Sequence, residues 1–113
     1  MVRRSGVEIE IFRNALGLVV GFSAKGHAGT AKHGKDIVCA AISALTQTTA
    51  LGLVKHLNRE IDLQHASGDM VVRLKAKPDA LTNTVFETMI LGLNEIEKIN
   101  PQSVHILDAQ EVK

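Results

Sequence analysis

The stretch GHAGTAKHGKDIVCAAISAL, from Gly26 to Leu45, decides the organisation of this chain, because a polar loop with three glycines runs here directly into an apolar, alanine-rich segment. Asp36 stands where a helix N-cap is expected, since an Asp side chain accepts hydrogen bonds from the free amides of a first helical turn. The run from Ile37 to Val54 carries no formal charge and predicts a helix that ends near residues 57 and 58.

The single cysteine, Cys39, falls in the first turn of this predicted helix. A thiol there experiences the positive end of the helix dipole, which favours the reactive thiolate. His27 lies twelve residues upstream, and the glycines of the intervening loop allow it to fold back toward the sulfur. The pattern therefore predicts a cysteine nucleophile with a histidine base.

Other interpretations of this stretch stay open at the level of residue types. A lone cysteine in an intracellular protein is more often a small buried hydrophobic residue than a nucleophile. His27, His33 and Cys39 are metal-ligand types, although no paired ligand motif is present. A phosphate-binding loop is disfavoured, because neither glycine-rich phosphate motif occurs and Asp36 would repel an anion.

The same stretch, written G-H-A-x-x-A-x-x-G-x-D-I-V-C-A-A-x-S-A-L, resembles the signature of the ribosomal-processing cysteine proteases called Prp. The resemblance implies a bacterial endopeptidase that removes a short N-terminal extension from a large-subunit ribosomal protein, cleaving after hydrophobic, typically aromatic, residues. It implies no cofactor and no metal. By position, His27 would be the base and Cys39 the nucleophile, and the supporting residues of the motif would be Gly26, Asp36 and Ser43.

The chain departs from the family pattern at Thr30 and His33, where aromatic residues are common. We expect this difference to change how the loop packs or how it binds substrate. No third catalytic residue can be assigned from the sequence: Asp36 could orient His27, but capping the helix already accounts for it, and we favour the cap. The loop has little apolar surface to bury, so we expect it to be mobile without substrate and to bring His27 onto Cys39 only when a peptide binds.

Length and charge limit the possible partners. The 113 residues predict a single domain, 1–113, with one hydrophobic core. Thirteen basic residues face twelve acidic ones without a basic stripe, which argues against direct nucleic-acid binding. A single cysteine suits a reducing compartment, and acidic residues interrupt the apolar segment after the N-terminus, so we expect a cytoplasmic protein without a secretory signal.

The remaining elements follow from periodicity. Alternation predicts strands, and helical spacing after Pro78-Asp79 predicts a second helix that stops at Asn100-Pro101. The predicted strands are Val7 to Arg13, Leu16 to Ala24, Glu60 to His65, Met70 to Lys75 and, less strongly patterned, Val104 to Leu107. The order ββαββα, with a possible final strand, predicts an α+β, two-layer sandwich in which two helices pack on an antiparallel or mixed sheet. The loop after the second strand should leave from a sheet edge.

The uncharged helix is long enough to raise the question of a membrane span, but its Ser, Thr and Gln residues favour packing on the sheet and against a neighbouring protein. We therefore expect a homodimer and no membrane contact. The pocket beside Cys39 should be aliphatic, because the chain has three Phe and no Trp or Tyr. His56, His65 and His105 are interpreted as structural or solvated. The alternative function is a non-catalytic, ribosome-associated interaction module in which Cys39 only packs.

Overall fold

The computed structural model describes residues 6–27, 37–66 and 68–110. Its elements are β1 (Gly6–Arg13), β2 (Val19–His27), α1 (Ile37–Leu51) with a π-helical continuation (Gly52–His56), β3 (Ile61–Ala66), β4 (Asp69–Leu74), α2 (Ala80–Ile99) and β5 (Val104–Gln110). The predicted order is confirmed, and the final strand is present and longer than expected. The α+β class is confirmed as well.

The five strands form one mixed sheet in the order β3-β4-β2-β1-β5. Only β1 and β5 run parallel; the other neighbours are antiparallel. We expected the loop after β2 to leave from an edge of the sheet. This expectation is wrong, because β2 is paired on both sides, with β1 on one and with β4 on the other. Alternation along a strand identifies the face that is buried, but it does not reveal a distant pairing partner.

One face of the sheet carries the hydrophobic core. Ile9 and Ile11 of β1 are fully buried, whereas Glu8 before them is exposed and Glu10 between them is half-buried, in line with the predicted alternation. Phe22 of β2 contacts Phe86 of α2 edge to face, with ring centroids 6.2 Å apart. The helices therefore cover the face of the sheet on which Ile9, Ile11 and Phe22 lie, which gives the predicted two layers.

The helices approach each other closely where side chains are absent. A Cβ atom at Gly92 of α2 would lie 2.9 Å from a methyl group of Leu45 on α1, and one at Gly52 would contact Val85. The missing side chains thus allow Leu45 and Val85 to fill the space between the helices. This contact joins α1 to α2 and holds α1 in the helical layer.

Less of α1 is covered than its apolar sequence predicts. The helix Ile37–His56 is long and apolar enough to cross a membrane by composition alone, with a mean hydropathy of 1.8, and 28% of its most apolar window is buried. Ile42 and Leu53 belong to the sheet core. Ile37 and Leu51, however, are 78% and 52% exposed. Core helices of soluble proteins pass the same composition test, so this finding by itself is weak support for a membrane span.

The start of α2 is capped by Asp79, as the Pro78-Asp79 sequence predicts. The Asp79 carboxylate accepts a hydrogen bond from the Thr82 amide at 3.0 Å, and the Thr82 hydroxyl accepts one from the Asp79 amide at 2.9 Å. Arg59, which follows α1, also donates to Asp79 at 2.6 Å. The hydrogen bond from Thr82, and then that from Arg59, lower the pKa of Asp79. The cap therefore also ties the end of the first helix to the start of the second.

These contacts predict a pH dependence of stability. Because the pKa of Asp79 is lower in the folded protein, its contribution is complete above the unfolded value of about 3.9 and is lost as the pH falls through the folded value. Asp79→Asn keeps an amide cap without the charge. We expect the urea midpoint of the wild type to fall more steeply than that of Asp79→Asn as the pH is lowered through this range. Asp62→Asn, at an exposed carboxylate outside any cap, is the control; equal profiles for the two variants would contradict the prediction.

Candidate active site

Cys39 is the third residue of α1, which begins at Ile37 as predicted. The side chain is half-buried, and its neighbours in the first turn include no acidic residue. The first amides of a helix lack intrahelical acceptors and point toward its N-terminal end. The sulfur therefore lies in the first turn, at the positive end of the helix dipole, a setting that favours a thiolate and can stabilise a developing negative charge.

Cys39 opens into a recess of about 150 Å³ between α1 and one end of the sheet. We call this the Cys39 recess. Its floor is apolar and largely buried, and it consists of Val7, Ala24, Ile42 and Met70. Its polar lining comes from α1 and from the β3–β4 hairpin, and it includes Ser43, Thr46, Gln47, His65 and Asp69. The predicted aliphatic pocket beside the cysteine is thus present, with a polar rim.

The α1 wall of the Cys39 recess follows the helical period. Ser43 lies one turn after Cys39 and is exposed in the same recess, as its spacing predicts. Thr46 is buried, and its hydroxyl donates to the Ile42 carbonyl at 2.9 Å. Back-bonding of this kind satisfies a hydroxyl inside the helix itself. Thr46 therefore shapes the wall, while Ser43 presents its side chain to the recess.

Gly26 holds the end of β2 against both neighbouring strands. Its amide donates to the Gly68 carbonyl at 2.7 Å, and its φ of +94° lies in a region that side-chain-bearing residues rarely adopt. A Cβ atom here would also collide with the carbonyl oxygen of Gly6. His27 follows directly as the last residue of β2, where its backbone pairs with Gly6. Gly26 thus sets the position of the His27 backbone.

Part of the predicted site lies outside the described residues. This applies to the side chain of His27 and to residues 28–36, which include Asp36, Thr30 and His33. The helix cap by Asp36 and the closure of the loop therefore remain predictions, and the alternative of a metal site that includes His33 remains untested. Among the described residues, the structure brings together Gly26, Cys39 and Ser43 around one recess.

The sequence analysis missed the contribution of the β3–β4 hairpin. His65 and Asp69 line the Cys39 recess, although they are 26 and 30 residues away from Cys39 along the chain. His65 is solvent-exposed, in line with the sequence interpretation, but its location at the recess was not foreseen. Strand pairing brings the hairpin there, since Met70 pairs with Ala24 next to the start of the loop. The available signal was the turn-forming sequence Ala66-Ser67-Gly68-Asp69, which predicts a hairpin but not the strand beside which the hairpin lies.

The geometry at Gly26 predicts that a methyl group added at this position lowers stability and disturbs the Cys39 recess. Gly26→Ala combines backbone strain with the collision against Gly6, so we expect a loss of roughly 2 kcal/mol or more in unfolding free energy. Gly17→Ala is the matched control, because Gly17 has a φ of +84° but open space around it; we expect a loss of about 1 kcal/mol there. Alkylation of Cys39 by iodoacetamide should slow only in Gly26→Ala. Equal effects of both substitutions on stability and alkylation would contradict this role.

Comparison with known proteins identifies the family to which the chain belongs. A family model described as cysteine protease Prp matches residues 7–105. A search of curated proteins found no significant match. Among solved structures, the chain is similar to the essential ribosomal processing protease Prp from S. aureus in complex with a covalently linked product peptide, with a TM-score of 0.86 and 22% identity over 91% of this chain and 99% of that one.

Two further solved structures support the same fold. The S. aureus protease in complex with a substrate peptide gives a TM-score of 0.81 at 21% identity, over 91% of this chain and 99% of that one. A Streptococcus mutans protein gives 0.81 at 26% identity, over 98% and 100%. The matched family region contains β1, the glycine loop, the first turn of α1 and the hairpin that closes the recess. The chain therefore belongs to the Prp family of cysteine proteases.

Proposed function

We propose that this protease removes the N-terminal extension of a bacterial large-subunit ribosomal protein, cleaving after hydrophobic or aromatic residues. The observation that carries the proposal is the half-buried Cys39 at a helix N-terminus, open to a recess with an apolar floor. The family match and the likeness to a ribosomal processing protease supply the class of substrate. The chain acts as one domain, 1–113, without a cofactor or a metal.

The reaction uses two residues. His27 accepts the proton of the Cys39 thiol, and the thiolate attacks the carbonyl carbon of the scissile peptide bond. The first amides of α1 donate hydrogen bonds to the resulting oxyanion. His27 then returns the proton to the leaving amine, which departs with the mature protein. Water hydrolyses the remaining thioester and releases the extension as a free carboxylate. Gly26, Asp36 and Ser43 position these groups.

The Cys39 recess accounts for the proposed cleavage preference. Its floor side chains are aliphatic, and its volume suits one side chain rather than a folded segment. An aromatic ring of the substrate contributes a large apolar area that these side chains can cover. The substrate residue that directly precedes the scissile bond would thus be held close to Cys39. A flexible extension can reach the recess, whereas the backbone of a folded protein cannot.

The helical layer supports the proposed homodimer. Ile37, Leu51, Leu81 and Leu91 project from α1 and α2 with 52% or more of each side chain exposed. Large apolar residues exposed on one layer mark a candidate interaction surface. A second copy of the chain would cover α1 from outside, which the uncharged sequence of this helix favours. We place the protein in the cytoplasm, where the ribosomal substrate is made, with no direct contact to nucleic acid or membrane.

The proteolytic function predicts one discrete product. Intact-mass analysis of the organism's own extended ribosomal protein should show a single N-terminal loss after incubation with the reduced wild-type enzyme. Cys39→Ala removes the nucleophile and His27→Ala the base, so neither variant should yield the product within the same time. Casein, a general protease substrate, should be cleaved poorly, because we expect a narrow endopeptidase. Cleavage that survives Cys39→Ala, or no cleavage by the folded wild type, would contradict the proposal.

The alternative, a non-catalytic interaction module, is distinguished by thiol reactivity. As a nucleophile, Cys39 should react with iodoacetamide at a pH well below the ordinary thiol pKa of about 8.5 and more slowly in His27→Ala. A packing cysteine would react only after unfolding. Rapid labelling together with specific cleavage supports the protease; inert folded protein that still binds the ribosomal substrate supports the module.

The proposed dimer predicts a change of mass in solution. Leu51→Glu places a charge on the exposed side of α1, and a carboxylate buried in an interface without a partner is strongly unfavourable. Light scattering should give twice the chain mass for the wild type and the single mass for Leu51→Glu. Leu16→Glu is the matched control, because Leu16 is 85% exposed in the β1–β2 turn, outside the helical layer. A monomeric wild type at micromolar concentration would contradict the dimer.

A further inference from the structure

We propose that the outer edge of β3 binds the substrate main chain as an added strand and leads it into the Cys39 recess. This inference rests on the proposed proteolytic function and specifies how the protease holds an extended peptide. In the part of the chain that the structure describes, β3 is the last strand of the sheet beside β4, and no strand pairs with its other side. Such an edge presents backbone amides and carbonyls that can pair with another extended chain.

The pattern of hydrogen bonds identifies the backbone groups that face outward. The Lys75 amide donates to the Glu60 carbonyl at 3.1 Å, just before the β3–β4 register begins. In an antiparallel pair, such bonded positions alternate with positions that point away from the partner. Since Asp62 pairs with Arg73 and Gln64 with Val71, these residues bond to β4. The outward amides and carbonyls therefore belong to Ile61, Leu63 and His65.

The same three residues turn their side chains toward the helical layer. Leu63 pairs with Val72 and His65 with Met70, and both partners are buried in the core under the helices. Leu63 itself is 51% exposed, so the helical layer leaves part of this side chain uncovered. A peptide paired with β3 would continue the sheet at this point. Every second side chain of the peptide would then face the same side as Leu63 and His65.

His65 connects the edge to the catalytic cysteine. It is one of the three outward-facing residues and also lines the Cys39 recess together with Ser43 and Gln47 of α1. A strand that follows Leu63 and then His65 thus arrives at the recess with its backbone already extended. The other free edge of the sheet, that of β5, lies three strands beyond β4 and contributes no residue to this recess. The location of β3 beside the recess therefore favours β3 over β5 as the strand that pairs with the substrate.

The composition of β3 is consistent with an edge that is kept accessible. Natural edge strands are commonly protected from pairing by charged residues, especially Lys, by Pro or by a bulge; the β3 sequence IDLQHA contains neither Lys nor Pro, and its one charged residue is Asp62. Its register with β4 is regular throughout. Main-chain pairing would give affinity that tolerates different substrate sequences, while the recess selects the side chain at the cleavage site. The two features together explain a narrow protease that needs an unfolded substrate segment.

The first test uses the wild-type enzyme and a synthetic peptide that spans the cleavage junction of the extended ribosomal protein. Each amide outside the two residues that flank the scissile bond is N-methylated in turn, which removes one hydrogen-bond donor. We expect kcat/KM to fall about tenfold or more at alternate positions, mainly through KM, and to change little at the positions between. A flat or non-alternating profile would overturn strand addition. Failure to cleave the unmodified peptide would instead refute the proposed function.

The second test removes a donor from the enzyme. Leu63→Pro deletes an outward amide that β4 does not use, and Leu63→Ala is the matched control for the side chain. We expect Leu63→Pro to raise KM for the peptide about tenfold relative to Leu63→Ala, with the iodoacetamide reactivity of Cys39 unchanged. Equal KM values in two folded variants would overturn the proposal. If Leu63→Pro does not fold, the N-methyl series with the wild type decides alone.

Discussion

The site depends above all on the pairing of β2 with a strand on each side. β1 holds one edge of β2, and β4 holds the other, so the end of β2 cannot move without breaking two sets of hydrogen bonds. Gly26 makes this possible at the last positions, because its backbone meets Gly68 on one side and approaches Gly6 on the other. The central strand thereby places the start of the glycine loop and the tip of the β3–β4 hairpin at one end of the sheet, opposite the first turn of α1.

The helix α1 combines two roles that usually require different residues. Its inner side contributes Ile42 to the core, and its first turn presents Cys39 to the recess. Thr46 and Thr49 are polar but buried, and their hydroxyls donate to the carbonyls of Ile42 and Leu45 within the helix. Because these hydroxyls are satisfied locally, the helix needs no charged partner beneath it. Within the first turn of α1 no acidic side chain opposes the effect of the helix N-terminus on Cys39.

The elements themselves were predictable from local patterns. The alternation of Ile9 and Ile11 with Glu8 identified β1 and its buried face, and Asp79 marked the start of α2 through a cap that the structure contains. Such signals are local, because a strand period or a helix cap depends on residues within one or two turns. The wall of the recess followed from the same logic, since Cys39 and Ser43 are one helical turn apart.

The sequence by itself determined the order of elements, the face that each element buries and the placement of Cys39 in the first turn of an uncharged helix. It also carried the family pattern around Gly26 and Cys39. Only the tertiary structure decided that β2 is central, that His65 and Asp69 join the recess, and that β3 presents its outward backbone groups beside it. The physical reason is that pairing between strands about fifty residues apart, such as β2 and β4, depends on the packing of the whole core, whereas periodicity records only how one segment meets its immediate surroundings.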